Sequence, residues 1–175
     1  RKSHSDSFLK KALERMETAV TLRARLVYTE VAAAHLNTNG EFKKAGALYE
    51  KNMQIFEDNP SLLEASKTLF FSSISNYLVF SIDTYQPVLT TQLLYKLETW
   101  ASNSKTFLAT NPDISIRLRL RVLSTKISLC KTLNQPMEML KSEAELEDLL
   151  NTTGNEKQPT VPAIVTIRFT SVLVQ

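Results

Sequence analysis

Residues 26–60 read LVYTEVAAAHLNTNGEFKKAGALYEKNMQIFEDNP, and two helix-like segments lie in that stretch. Asn39-Gly40 separates them, because Asn and Gly are the residues that tolerate the left-handed backbone of a helix end. In the second segment Phe42, Ala45, Leu48, Tyr49, Met53 and Phe56 recur at three- and four-residue steps, which lays one apolar stripe along a helix. Asn59-Pro60 closes the stretch. Proline fits the first turn of a helix and breaks a helix later, so the pair reads as a capping side chain followed by a new helix start.

The same punctuation recurs downstream. Asn111-Pro112 repeats Asn59-Pro60 at a distance of 52 residues, and Gln135-Pro136 repeats Gln86-Pro87 at 49. A helix pair returning about every fifty residues is an internal repeat. The frame predicts pairs over 7–38 and 41–58, 60–83 and 87–108, 112–133 and 136–151, with a fourth pair opening from 162. Thirty residues is long for a globular helix, so a break is expected in the first segment between Thr18 and Thr21. Ile116, Leu120, Leu123, Ile127 and Cys130 form a stripe like that of 42–56. Leu89, Leu93, Leu94, Leu97, Trp100, Ala101 and Leu108 form a broader one, expected where a helix touches both its partner and the next pair. Residues 164–174 are rich in β-branched side chains, which favour strands, yet the repeat frame places a helix there.

Composition narrows the function. Of 175 residues, 43% are hydrophobic, enough for a single core or one stack of repeats. Three glycines and six prolines argue against turn-rich folds and glycine phosphate cradles. One cysteine and two histidines disfavour a disulfide scaffold and a His/Cys metal site, and the lone thiol fits a reducing compartment such as the cytoplasm. The net charge of +3 is too small for a nucleic-acid surface despite a pI near 9.0. The longest apolar run, 69–82, is interrupted by Ser72, Ser73, Ser75 and Asn76, so no membrane span is expected. A chain that opens on Arg1 and stops inside an apolar segment reads as part of something longer.

Residues 26–60 resemble a tetratricopeptide repeat (TPR), a helix–turn–helix unit. With Gly40 as the turn glycine, Ala33 takes the small position of the first helix, Phe42, Ala45 and Tyr49 the aromatic, small and aromatic positions of the second, and Pro60 the close. Thr29 stands in place of the family's tryptophan and Leu36 in place of its tyrosine, while the later pairs keep the pairing but not the consensus. The resemblance implies an all-α fold, a right-handed α–α superhelix of about three and a half hairpins. It also implies a groove lined by the first helix of each pair, where a protein or peptide docks without catalysis, as in a scaffold or regulatory module. Lengthened units of this type also resemble the sensor regions of large transcription regulators, which makes a ligand- or partner-responsive sensor domain the alternative.

The candidate chemical groups have plainer roles beside them. Ser7 and Lys10 match the Ser-x-x-Lys spacing of penicillin-binding enzymes, but the companion motifs are missing and Ser7 reads as a helix N-cap. His35 has no nucleophile or orienting acid at a demanding spacing and reads as a last-turn residue. Cys130 reads as a buried small hydrophobe. No catalytic residue, metal ligand or cofactor is expected. Arg117 and Arg121 sit one turn apart, with Arg119 on the other side of the helix. Residues 112–133 sum to +4 and 136–157 to −4, so the two helices read as attracting or solvated faces. If a groove exists, Asn76 can hydrogen-bond a peptide backbone, and Arg117, Arg121 and Arg168 can grip the carboxylates of an acidic partner.

Overall fold

A computed structural model describes Glu14 and residues 18–154. Eight helices account for nearly all of this span, and there is no strand among the described residues. The chain is all-α. Helix α1 (Leu22–Thr38) opens at Thr21, whose backbone is extended and whose Oγ1 accepts the Ala24 N–H at 3.2 Å. This is the break expected between positions 18 and 21, and an N-cap explains it. Helix α2 (Phe42–Asp58) completes the first hairpin. A short helix α3 (Pro60–Ala65) leads into α4 (Lys67–Asp83), which pairs with α5 (Pro87–Asn103). A second short helix, α6 (Lys105–Thr110), leads into the third hairpin of α7 (Pro112–Thr132) and α8 (Pro136–Gly154). The spans expected as single helices over 60–83 and 87–108 are thus each divided, at Ser66 and Ser104. Both serines are buried at the corner they make, where a small side chain lets the chain turn against its neighbours.

The three hairpin tips are built alike. Gly40, Tyr85 and Asn134 have φ of 79°, 55° and 55°. In the first tip Asn39 N donates to His35 O, Gly40 N to Asn37 O and Glu41 N to Leu36 O. Thr84, Tyr85 and Gln86 repeat these bonds onto Phe80, Ile82 and Ser81, and Leu133, Asn134 and Gln135 repeat them onto Leu129, Lys131 and Cys130. Each tip therefore closes its first helix with the left-handed residue and the six-to-one bond of a Schellman motif.

The spacing differs from the expected fifty residues. Leu22, Phe42 and Pro60, which begin α1, α2 and α3, recur 45 residues later as Lys67, Pro87 and Lys105, which begin α4, α5 and α6; α7 then begins 45 residues after α4. Helix α7 has 21 residues where α1 and α4 have 17, and this extra turn explains the 49 between Pro87 and Pro136. The two Asn-Pro pairs are not equivalent: one opens a short helix and the other follows one. Nor do their asparagines cap the next helix. Asn59 and Asn111 each donate from Nδ2 back to the carbonyl four residues earlier, Ile55 O and Phe107 O, both at 2.8 Å.

The hairpins pack in chain order, with α1 and α2 against α4, and α4 and α5 against α7. Within the first hairpin Ala33 and Ala45 are fully buried, so the helix backbones approach closely. Between the first two hairpins Tyr49 stacks on Tyr77 at 5.5 Å and Phe56 meets Phe70 edge-on at 5.3 Å. Trp100 of α5 lies 5.5 Å from Phe70 and 6.1 Å from Phe71. Ring pairs of this kind contribute about 0.5–1.5 kcal/mol beyond the area they bury. Ion pairs Glu57–Lys96 and Glu98–Lys126 also cross between successive hairpins. The segment from 162 onward, including the helix expected over 164–174, lies outside the described residues.

Candidate binding face

The 45-residue spacing puts positions 27, 72 and 117 in register, and likewise 31, 76 and 121. On α1 these are Val27 and Val31, on α4 Ser72 and Asn76, on α7 Arg117 and Arg121. They face outward because the opposite sides of the same helices are committed to the core: Leu26, Thr29, Ala32 and Ala33 on α1, Ile74 and Leu78 on α4, Leu118 and Leu129 on α7. Arg121 is half-buried and the other five are exposed. Three of the four residues expected to bind a peptide thus fall on these two registers, Asn76 and Arg121 at one and Arg117 at the other, on first helices that pack in order. Arg168 lies outside the described residues, as do Ser7 and Lys10.

A carboxylate joins the face to the core. Glu30 of α1 accepts the Asn76 amide on Oε1 at 2.8 Å and the Asn52 amide on Oε2 at 2.9 Å, bringing α1, α2 and α4 to one side chain. Asn52 is fully buried, and its Nδ2 also reaches the Leu26 carbonyl at 3.3 Å. Burial pushes the Glu30 carboxyl above its ordinary value, while Asn76, Asn52 and the nearby Ser73 hydroxyl pull it back. Ser73 Oγ is buried and makes no hydrogen bond of good geometry. Burial, then the charges of Glu30 and Asp83, push the Tyr49 hydroxyl up to about 12. Neither Glu30 nor Asn52 stands out in the sequence as a site, because their contacts span 22 and 46 residues and follow no local pattern.

No family model, curated protein or solved structure matches this chain. The tetratricopeptide resemblance therefore rests on the sequence of residues 26–60 alone; in the structure Gly40 takes a left-handed turn and Ala33, Ala45 and Tyr49 are buried, whereas Phe42 is 50% exposed.

The remaining expectations meet the structure unevenly. His35 sits in the last turn of α1, 2.6 Å from Asn39 Nδ2. Cys130 is half-buried rather than buried, although its neighbour Leu129 is buried. Two ion pairs of the basic helix do not run to the acidic α8: Arg117 meets Asp113 of its own helix at 3.1 Å, and Lys126 meets Glu98 of α5 at 2.9 Å. Among the described residues no helix is long and apolar enough to cross a membrane, and no three His, Cys, Asp or Glu gather as a metal site. A crevice between the second and third tips, lined by Ser81, Tyr85, Thr90, Ser128 and Thr132, has about 10 Å³ of water-accessible space. That holds about one water.

Proposed function

We propose that this chain is a non-enzymatic, TPR-like helical-repeat module that binds a protein or peptide partner on its first-helix face, as a scaffold or regulatory part of a larger assembly. The observation that carries the reading is the register: three alike tips recur with α1, α4 and α7 packed in order, and Asn76, Arg117 and Arg121 fall on its two outward-facing positions, Arg121 half-buried. Hairpins repeated with the same turn and stacked in order wind into a superhelix, whose long ridged surface suits an extended partner. The arginines favour an acidic one, since guanidinium pairs with carboxylate through two parallel hydrogen bonds. The cytoplasm is the compartment proposed, on the single thiol.

Site-specific photo-cross-linking tests this role. Benzoylphenylalanine placed at Ser72, on the first-helix face, is expected to trap a partner in cells. The same group at Gln92, exposed on α5, is expected to trap none. Equal trapping at both, or none at Ser72, defeats the reading.

A further inference from the structure

The three first helices differ in chemistry at the same two register positions. Val27 and Val31 of α1 are 45% and 41% exposed, an apolar pair left at the surface. Ser72 and Asn76 of α4 are polar and exposed, and Arg117 and Arg121 of α7 are cationic. Helix α4 touches both α1 and α7, so it lies between them. The face therefore runs from apolar through small and polar to basic. The Glu30 carboxylate, held by Asn76 on the α1 side, adds a negative charge opposite the arginines. An anionic group is repelled from one end and drawn to the other.

Resting on the binding role above, we propose that this face takes an extended acidic–apolar peptide segment that crosses the three helices, its apolar side chains over Val27 and Val31 and its carboxylates over Arg117 and Arg121. Ser72 is small enough to let a main chain approach α4. Asn76, having given one N–H to Glu30, keeps its side-chain carbonyl for a main-chain N–H of the ligand. Packed helix axes lie about 8–10 Å apart, which separates α1 from α7 by about 16–20 Å. An extended chain advances about 3.3 Å per residue, so the two anchors lie about five or six residues apart along it. The Arg117–Asp113 pair does not oppose this, because both side chains are more than half exposed and one surface carboxylate replaces another at little cost.

Selection of random twelve-residue peptides on the 175-residue chain tests the proposal, with V27S/V31S and R117E/R121E variants of unchanged circular dichroism as counter-targets. Selected peptides are expected to carry an aliphatic or aromatic cluster and an Asp/Glu cluster about five or six residues apart. R117E/R121E is expected to weaken them about tenfold or more, and more at low salt than at high. V27S/V31S is expected to weaken them severalfold, and closing the spacing to two residues should abolish the gain from having both anchors. Peptides that cross-link at Ser72 yet need only one anchor, or no fixed spacing, overturn this inference and leave the binding role standing. Selected peptides insensitive to every first-helix substitution overturn both.

Discussion

Asn76 of the second hairpin donates its side-chain amide to the Glu30 carboxylate of the first across 2.8 Å, joining residues 46 apart in sequence. The contact serves two ends: it fixes the orientation of a residue on the proposed binding face, and it keeps a charge in a partly desolvated place.

That charge gives the chain an inverted acid response at this site. Burial holds the folded-state pKa of Glu30 above its ordinary value of 4.5, so between the unfolded and folded values the native state binds the proton more tightly. Stability contributed by this group is therefore full at low pH and falls as pH rises through that window, remaining lower at neutral pH. Glu30→Gln removes the charge and keeps the shape, with its oxygen accepting from Asn52 and its new amide N–H donating to the oxygen of the exposed Asn76 amide, which turns over to meet it. It is expected to be more stable than the parent at neutral pH, with an advantage that shrinks on acidification towards 4.5, measured by urea denaturation at several pH values. A Gln variant equal to or weaker than the parent at neutral pH would mean that the two amide bonds outweigh desolvation.

Gly46 of α2 tests the closeness of the first two hairpins. A Cβ added there meets Phe80 Cζ at 3.1 Å and Cε1 at 3.3 Å. Phe80 is itself held at 5.4 Å from Tyr49 and 6.1 Å from Tyr77, so the ring has little freedom to move. Alanine gains about 1 kcal/mol of helix propensity over glycine, against an overpacking cost of about 1–3 kcal/mol. Gly46→Ala is expected to lower stability by about 1 kcal/mol, and Phe80→Leu in the same chain should reverse the sign of the alanine effect. Stabilisation by Gly46→Ala alone would show that the ring yields.

The tips predict opposite signs for two exchanges. Gly40 has φ of 79° and a Cβ added there would meet open space, so Gly40→Ala meets only backbone strain and is expected to cost about 1 kcal/mol. Tyr85 holds a similar backbone at φ 55° and is 82% exposed, so Tyr85→Gly loses little contact and relieves strain. It is expected to be neutral or to stabilise by up to about 1 kcal/mol. Thermal denaturation of the two variants side by side decides; loss of stability in Tyr85→Gly would reveal a role for the exposed ring.

Trp100 is the single tryptophan and is almost fully buried against Phe70, Phe71 and Phe107. Trp100→Ala is expected to cost about 3–5 kcal/mol, and Trp100→Phe distinctly less. In the parent chain its fluorescence should shift at the same denaturant concentration as the loss of helical circular dichroism, since the ring sits where the second hairpin meets both corners. Separate transitions would show that the hairpins unfold independently.

Helix positions were readable without coordinates because their signals are local. The break between Thr18 and Thr21, Gly40 at a tip and the prolines at 60, 87, 112 and 136 each act within a turn or two of the backbone. The two asparagines before proline misled for the same reason: an amide there has both a preceding carbonyl and a following N–H in reach, and only the folded corner selects the former. The 45-residue register was hidden by four extra residues in α7 and by serine corners that carry no breaker residue. The place of Asn76, Arg117 and Arg121 on one face follows from that register.

Sequence alone determined that the described span is helical and where its hairpins turn, since capping, proline geometry and apolar periodicity are short-range effects. Only the tertiary structure decided which positions align across hairpins and that Glu30, Asn52 and Asn76 meet. Those depend on packing between segments far apart in the chain, and no residue pattern along it encodes their distance.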